Sequence, residues 1–365
     1  MTLRHKLQFS RTKVDSAGKN LVACKDAEAL PELALAALND WRNFHTFPLN
    51  SITVVLKGKA RRIQSDALVV ERLKRSRSVL AKLVREPSMR LTQMQDIGGC
   101  RAVLKSVEDV YKLKESYLSG KGNYEIVHVD DYIRAPKDSG YRSIHLILRY
   151  NSKKYPEYNK LLLEIQMRTS VQHAWATAVE TVGAVIGQAL KSSEGEERWL
   201  KYFQNASLAL EYIERPLFTT IIPKSLGEIA RQLAQLDKEL KISEKLHSYR
   251  DALKATESKT LPQRGYFLLL LLPAQRELKI TYFPTKKAED AYRAYEEAER
   301  MLPRQFGFAQ PSLFPELDNY AGAQAVLVGA ESFNSLRQCY PNYYLDTDFF
   351  LKSIDGFIKS YKRQR

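Results

Sequence analysis

The chain has 365 residues, with 57 Lys and Arg against 42 Asp and Glu and a formal net charge of +15. Hydrophobic residues make up 44% of it, enough for a real core, which excludes global disorder; at ~150 residues per domain the length suggests two domains. Positions 51–105 hold 13 Lys and Arg against 4 Asp and Glu, so either an anionic partner or a solvated helical face is expected there. Cys24, Cys100 and Cys339 are unclustered and lack ligand spacing, which points to a reducing compartment and away from a disulfide framework or a zinc site. The start, MTLRHKLQFS, has no signal-peptide core, and the longest apolar run, 266–272, falls far short of the ~20 residues of a membrane span. A soluble cytoplasmic protein is expected.

Residues 1 to about 50 read as helical, with Leu33, Leu35, Leu38 and Trp41 on an apolar face and a break at Phe47-Pro48. A short strand is expected at 51–56. A helix is expected at 67–85, with Val70, Leu73, Leu80 and Leu83 inward, basic residues over the rest, and Pro87 closing it. Strands follow near 100–105, 124–134, 141–150 and 161–168, with a helix near 107–118 and the loop APKDSG between them. Thr169-x-x-Gln172 is a capping-box pattern that opens the next helix, and Ser225-x-x-Glu228 is another. Leu226, Ile229, Leu233, Leu236 and Leu240 step as a packed helical seam. After a polar linker around 255–264 come strands at 266–272 and 278–283, a charged helix at 286–301, a loop with Pro303, Pro311 and Pro315, a strand at 325–328 and terminal helices. Interleaved helices and strands predict an α+β fold, with the last hundred residues as a small separate β/α unit.

Four stretches carry candidate chemistry. In LLLEIQMRT (161–169), alternation puts Glu164, Gln166 and Arg168 on one strand face and Leu163, Ile165 and Met167 on the other; spacing alone leaves a binding face and a solvated polar face equally open. In MQDIGGCR (94–101), Asp96 precedes two glycines suited to a tight turn, with Arg101 just inside the strand. In SGYRSIH (139–145), Tyr141, Ser143 and His145 share a face; the tyrosine either stacks a nucleobase or packs at a strand edge. Arg72, Lys74, Lys82 and Arg85 recur over four turns of the expected basic helix, where they either neutralise a polyphosphate or face water.

In this order, ERLKRSRSVLAKLVR, MQDIGGCRAVL, SGYRSIH and EIQMRTSVQHAW resemble the synthetase domain of the RelA/SpoT family over about residues 30 to 215. The resemblance implies a nucleotidyltransferase-like synthetase domain, a mixed β-sheet flanked by helices, that moves pyrophosphate from ATP to a nucleotide 3′-hydroxyl. By that resemblance Asp96 and Glu164 are catalytic and hold a magnesium ion, with Glu164 sharing the metal or taking the hydroxyl proton. Arg72, Lys74, Lys82, Arg85 and Arg101 are the ATP-binding set, with Arg72 and Arg101 around the adenine. Tyr141 stacks the acceptor base, and Arg142, His145, Gln166, Arg168 and His173 line the acceptor side. Lys57, Lys59, Arg61, Arg62, Arg75, Arg77, Arg90 and Lys105 are then left over as candidates for an RNA footprint.

The departures narrow the resemblance. A His-Asp pair of the hydrolase type and the long members' regulatory extension are missing, so a synthetase-only form is expected. His173 stands where some guanosine-type synthetases carry Asn, and Asp130 and Asp131 stand where they carry a basic residue. At the end, YPNYYLDTDFF spaces Tyr340 and Tyr343 as YxxY; with FSRTKVDSAGK and DWRNFHTFPLN it resembles the CapRel-type fused toxin–antitoxins. That resemblance implies a toxin domain at 1–222, a helical linker at 223–261 and a metal-free pseudo-zinc-finger antitoxin domain at 262–365, with Tyr340 and Tyr343 autoinhibitory. It also implies tRNA as partner, its 3′-CCA end as acceptor, translation arrest in anti-phage defence, a phage capsid protein as trigger, and a monomer under intramolecular control. The alternative is an alarmone synthetase making (p)ppGpp or (p)ppApp with a regulatory tail. A pseudoenzyme acting as an RNA-binding module is a third class, against which Asp96 and Glu164 argue.

Overall fold

A computed structural model describes residues 4–24, 31–120, 122–186, 190, 195–214, 226–244, 246, 265–272, 277–301, 323–330 and 347–362. Helices α1 (Arg11–Ala23), α2 (Glu32–Phe44) and α3 (Thr46–Ile63) lead to strand β1 (Leu68–Leu73). Next come α4 (Ser76–Arg85), β2 (Gly98–Leu104), α5 (Val107–Leu118), β3 (Tyr124–Asp131), β4 (Ile144–Tyr150) and β5 (Leu162–Thr169). Helices α6 (Ser170–Ile186), α7 (Glu197–Glu214) and α8 (Leu226–Leu240) follow. The last part supplies β6 (Gly265–Leu272), β7 (Glu277–Pro284), α9 (Ala288–Met301), β8 (Gln324–Ala330) and α10 (Asp348–Lys362).

The strands form one mixed sheet in the order β3-β4-β5-β2-β1-β8-β6-β7. Its pairings are antiparallel apart from β2 with β5. This is the expected α+β class with a mixed, helix-flanked sheet. The last strands do not make a separate sheet: β8 pairs with β1 at Glu71↔Gly329 and Arg72↔Val328, so β6, β7 and β8 extend the first sheet.

Two expected elements differ. Residues 51–56 belong to α3, because Leu49, Ile52, Leu56 and Ala60 recur at helical spacing and are all buried. Pro48 does not break that helix; as its third residue it occupies the first turn, where N–H groups have no intrahelical partner. The single helix expected at 67–85 is instead β1, a turn and α4. Val70 and Leu73 are buried although they lie on opposite strand faces, so β1, which runs between β2 and β8, is covered on both faces there. Burial on both faces produces an apolar spacing that imitates a helix.

Elsewhere local chemistry sets the elements as expected. The Thr169 hydroxyl accepts from the Gln172 N–H at 3.1 Å, and the Gln172 side chain accepts from the Thr169 N–H at 3.1 Å, a complete capping box for α6. Ser106 caps α5 by accepting from the Asp109 N–H at 3.1 Å. The core lies in two main regions. One packs α1, α2, α3 and α5 against the β2, β4 and β5 face that carries Leu146, Leu163, Ile165 and Met167. The other joins α6, α7 and α8 with α10, whose Phe350, Leu351, Ile354 and Phe357 are buried beside Trp175 and Phe203.

Candidate active site

Adjacent glycines in β2 define two faces. A Cβ on Gly98 would meet Leu163, His45 and Leu49, on the helix-covered face, at 2.7, 3.5 and 3.5 Å. A Cβ on Gly99 would approach the Glu164 carboxylate at 3.9 Å, on the opposite face. Strand register puts Arg72 of β1, Gly99 and Arg101 of β2, Glu164 and Gln166 of β5, and His145 of β4 together on this second face. The glycines therefore do not turn the chain at Asp96; they lie within β2 and remove side chains where the sheet meets α3 on one face and Glu164 on the other.

On one side of this face stands Asp96, in the segment entering β2. The Lys74 N–H donates to the Ile97 carbonyl at 2.8 Å, which fastens the β1–α4 turn to the start of β2. The Lys74 ammonium then donates to one Asp96 oxygen at 2.7 Å, and Lys82 of α4 to the other at 3.2 Å. Burial works to raise the Asp96 carboxyl, but the two ammonium groups hold it below its ordinary value. Burial lowers Lys74 despite Asp96, and the nearby charges of Arg72 and Lys82 add to that. Arg85 is exposed on α4 one turn beyond Lys82. Four of the five cations expected around ATP thus share this region, with Arg85 at its rim.

On the other side, Glu164 is gripped at both oxygens. His145 Nδ1 lies 2.8 Å from Oε1, and the Gln166 amide donates to Oε2 at 2.7 Å. The Gln166 carbonyl accepts from Arg168 at 2.7 Å and from Arg101 at 3.3 Å. His145 Nε2 is 2.8 Å from the Tyr141 hydroxyl. Burial works against charge on His145, but Tyr141 and Glu164 raise it to about 9, so it is an imidazolium at neutral pH. Burial pushes Glu164 up, yet His145, Gln166 and Lys74 hold its carboxyl well below the usual carboxylate range. Asp96 and Glu164 each lie within the other's charge environment.

Several expected acceptor residues sit differently. Tyr141 is only 4% exposed, closed in by Trp175 and with Lys137 and Arg168 over its ring at 5.7 and 5.9 Å, so it does not present an open face. Arg142 turns away to α7, where it donates to Ser207 at 3.2 Å and pairs with Glu211. His173 is buried on α6. Tyr340 and Tyr343 lie outside the described residues.

Tyr132, not singled out from sequence, is the more open ring. It lies 5.3 Å from His145 and 6.0 Å from Tyr141, with the Lys137 ammonium 4.4 Å from its centroid. Continuing the β3 alternation from His128 through Asp130 would have pointed to it. Asp130 faces His145 across the strand pair, while Asp131 turns to Tyr111 at 3.1 Å and Lys114 at 3.2 Å. Of the leftover cations, Lys57, Lys59, Arg61 and Arg62 lie on α3, behind the sheet relative to Glu164. Lys59 donates to the Ser116 carbonyl at 2.6 Å and Lys105 pairs with Asp66 at 2.6 Å. Arg75 and Arg77 flank the start of α4, and Arg90 is exposed ahead of β2, so the eight do not form one surface around the site.

Among the described residues no group of three or more His, Cys, Asp or Glu could hold a metal. Asp96 and Glu164, two hard carboxylates in electrostatic reach of each other, are nevertheless the donor type that fits magnesium, which keeps waters and takes further oxygens from substrate phosphates. No described helix is long and apolar enough to cross a membrane.

Residues 71–182 match the RelA_SpoT family, described as a region found in RelA / SpoT proteins. That segment runs from β1 into α6 and contains all the site residues above except those of the tail. The chain is 37% identical over 111 residues to GTP pyrophosphokinase YjbM of Bacillus subtilis (strain 168), covering 30% of this chain and 52% of that protein. It is 35% identical over 113 residues to GTP pyrophosphokinase YwaC of the same organism, covering 29% and 52%. The chain thus spans about half the length of these curated relatives. The crystal structure of small alarmone synthetase 1 from Bacillus subtilis bound to its product pppGpp aligns with a TM-score of 0.42 at 28% identity, over 48% of this chain and 94% of that one.

Proposed function

We propose that this protein is a pyrophosphokinase of the RelA/SpoT type, transferring the β,γ-pyrophosphate of ATP to the 3′-hydroxyl of a nucleotide. The observation that carries the reading is a pair of carboxylates in electrostatic reach of each other, Asp96 held by two lysines and Glu164, beside Gly99, held by an imidazolium. The acceptor hydroxyl oxygen forms a bond to the β-phosphorus and releases its proton to solvent as the bond from the bridging oxygen to that phosphorus breaks, and AMP leaves with the bridging oxygen. Such transfer rests mainly on positioning and charge stabilisation. Lys74 and Lys82 are placed to neutralise the triphosphate, with Arg85 at the edge. Arg72 and Arg101, on one face of neighbouring strands, offer two guanidinium planes to the adenine.

Asp96 and Glu164 would hold magnesium, which supplies charge neutralisation of the phosphates when bound. The depressed carboxyl of Glu164 makes it a weak base and supports a metal-holding and orienting role over proton abstraction. His145 keeps that carboxylate oriented, and Gln166 joins it to Arg168 and Arg101. The relatives named GTP pyrophosphokinases support a free guanine nucleotide as acceptor. A second reading, transfer to the 3′-CCA end of tRNA by a toxin restrained by its tail, is favoured by Asp130. Asp130 stands opposite His145 in the strand register, its carboxylate 3.0 Å from His128, and a negative charge at that position would disfavour the 5′-phosphates of a free nucleotide.

The test gives the full chain ATP labelled in its β,γ-pyrophosphate, with magnesium and GTP, GDP, ATP or deacylated tRNA. Label on GTP or GDP is the expected result. Label confined to tRNA selects the second reading, and label on no acceptor with a folded chain overturns the first.

A further inference from the structure

We propose that Glu299, on helix α9, is a positioning residue for the donor site, acting through the β1–α4 turn; the inference rests on the donor-site reading above. Helix α4 begins at Ser76 with no side-chain cap of its own from Arg75. Glu299 fills that place across 223 residues of sequence: one oxygen accepts from the Ser76 N–H at 3.0 Å and the other from the Ser76 hydroxyl at 2.8 Å. A carboxylate at a helix N-terminus satisfies an orphan donor and complements the helix dipole.

The same carboxylate holds Arg42 of α2, whose NH1 donates to it at 2.8 Å. Arg42 is 2% exposed, and its Nε donates to the Lys74 carbonyl at 2.9 Å. Tyr295, one turn earlier on α9, donates to Glu299 at 3.0 Å and accepts from Arg42 at 3.1 Å. Glu299 therefore pins both ends of the turn: Lys74 through Arg42, and Ser76 directly. Lys74 leaves this turn, and Lys82 rides on the helix that starts there. These are the two cations on Asp96. Without Glu299, Arg42 becomes a buried cation lacking its carboxylate and α4 loses its cap, so the spacing of the two ammonium groups is no longer held. Glu296 is the internal control. It accepts from Asn43 of α2 at 2.8 Å and joins the same two helices, acts on Arg42 only through its charge and less than Glu299 does, and among the described residues has no hydrogen bond to the turn.

The experiment compares full-length wild type, Glu299→Gln, Ser76→Ala and Glu296→Gln. It measures ATP binding by calorimetry, KM for ATP and for the acceptor, and hydrogen exchange over residues 74–80. Glu299→Gln is expected to weaken ATP binding about tenfold and raise KM for ATP with little change in acceptor KM, while exchange at the start of α4 quickens. Ser76→Ala shifts the same readouts less, since the N–H contact survives, and it serves if Glu299→Gln does not fold. Glu296→Gln is expected to match wild type. Normal ATP binding and exchange in Glu299→Gln, or equal losses in Glu296→Gln, would overturn the proposal. A folded wild type that binds no ATP overturns the donor-site reading itself, and the clamp's role in it, whatever the variants do.

Discussion

Glu164 shows how a residue's neighbours set its chemistry. Replacing it by Gln keeps its size but removes the charge that, together with Tyr141, raises His145. Transfer should fall by about 100-fold or more, and the His145 titration, followed by NMR, should drop from about 9 toward its ordinary ~6.5. Retained turnover would remove Glu164 from the site. Glu214, at the end of α7, gives a pH signature. Burial raises it to about 7, with Glu211 adding to that and Thr169, Gln172 and Arg142 opposing it. Between its unfolded value of ~4.3 and about 7 the folded state binds the extra proton, so this group makes stability fall as pH rises through that window. Melting curves of Glu214→Gln and wild type should therefore diverge in the variant's favour from pH ~4.5 to ~7.5; a constant gap would contradict the shift. That Glu164, Gln166 and Arg168 share one strand face was legible from alternation, while spacing left open whether that face is solvated. The burial of Tyr141 and the turn of Arg142 toward Glu211 were not legible, because both depend on where α6 and α7 pack.

Among the elements, β2 separates fold from function within one dipeptide. Gly98→Ala brings a Cβ to 2.7 Å from a Leu163 methyl, and repacking there should cost about 1–3 kcal/mol in stability by denaturant unfolding. Gly99→Ala meets nothing closer than 3.9 Å, so it should fold like wild type yet lose transfer, since the added methyl enters the gap beside Glu164. Equal stability losses in the two would show that they do not face different layers. The capping box at Thr169 and the helix at Val107–Leu118 followed from side-chain patterns within a few residues. β1 could not be read that way, because its strand partners lie tens to hundreds of residues away.

At the scale of the whole molecule, the last hundred residues are tied to the rest at separate places: β8 along β1, Glu299 at α4, and α10 against α6, α7 and α8. Four buried side chains of α10, at ~1.5–3 kcal/mol each, amount to a large part of the ~5–15 kcal/mol that holds a domain folded. A chain cut after residue 261 should therefore melt more than ~10 °C lower than the full chain in calorimetry. An unchanged Tm would show that the first part stands alone.

Side-chain order along the chain was enough for the α+β alternation, the Thr169 capping box and the identity of the chemical groups: two carboxylates, a basic stretch, and the EIQMR face. Those depend on side-chain type and on spacings of two to four residues. Packing in three dimensions was needed to show that positions 67–85 are a strand, a turn and a helix, that the α3 cations lie behind the sheet, and that Arg42 and Glu299, 257 positions apart, meet at the turn carrying Lys74. Such pairings are chosen by burial and by satisfying polar groups across the packed layers, and no local pattern records them.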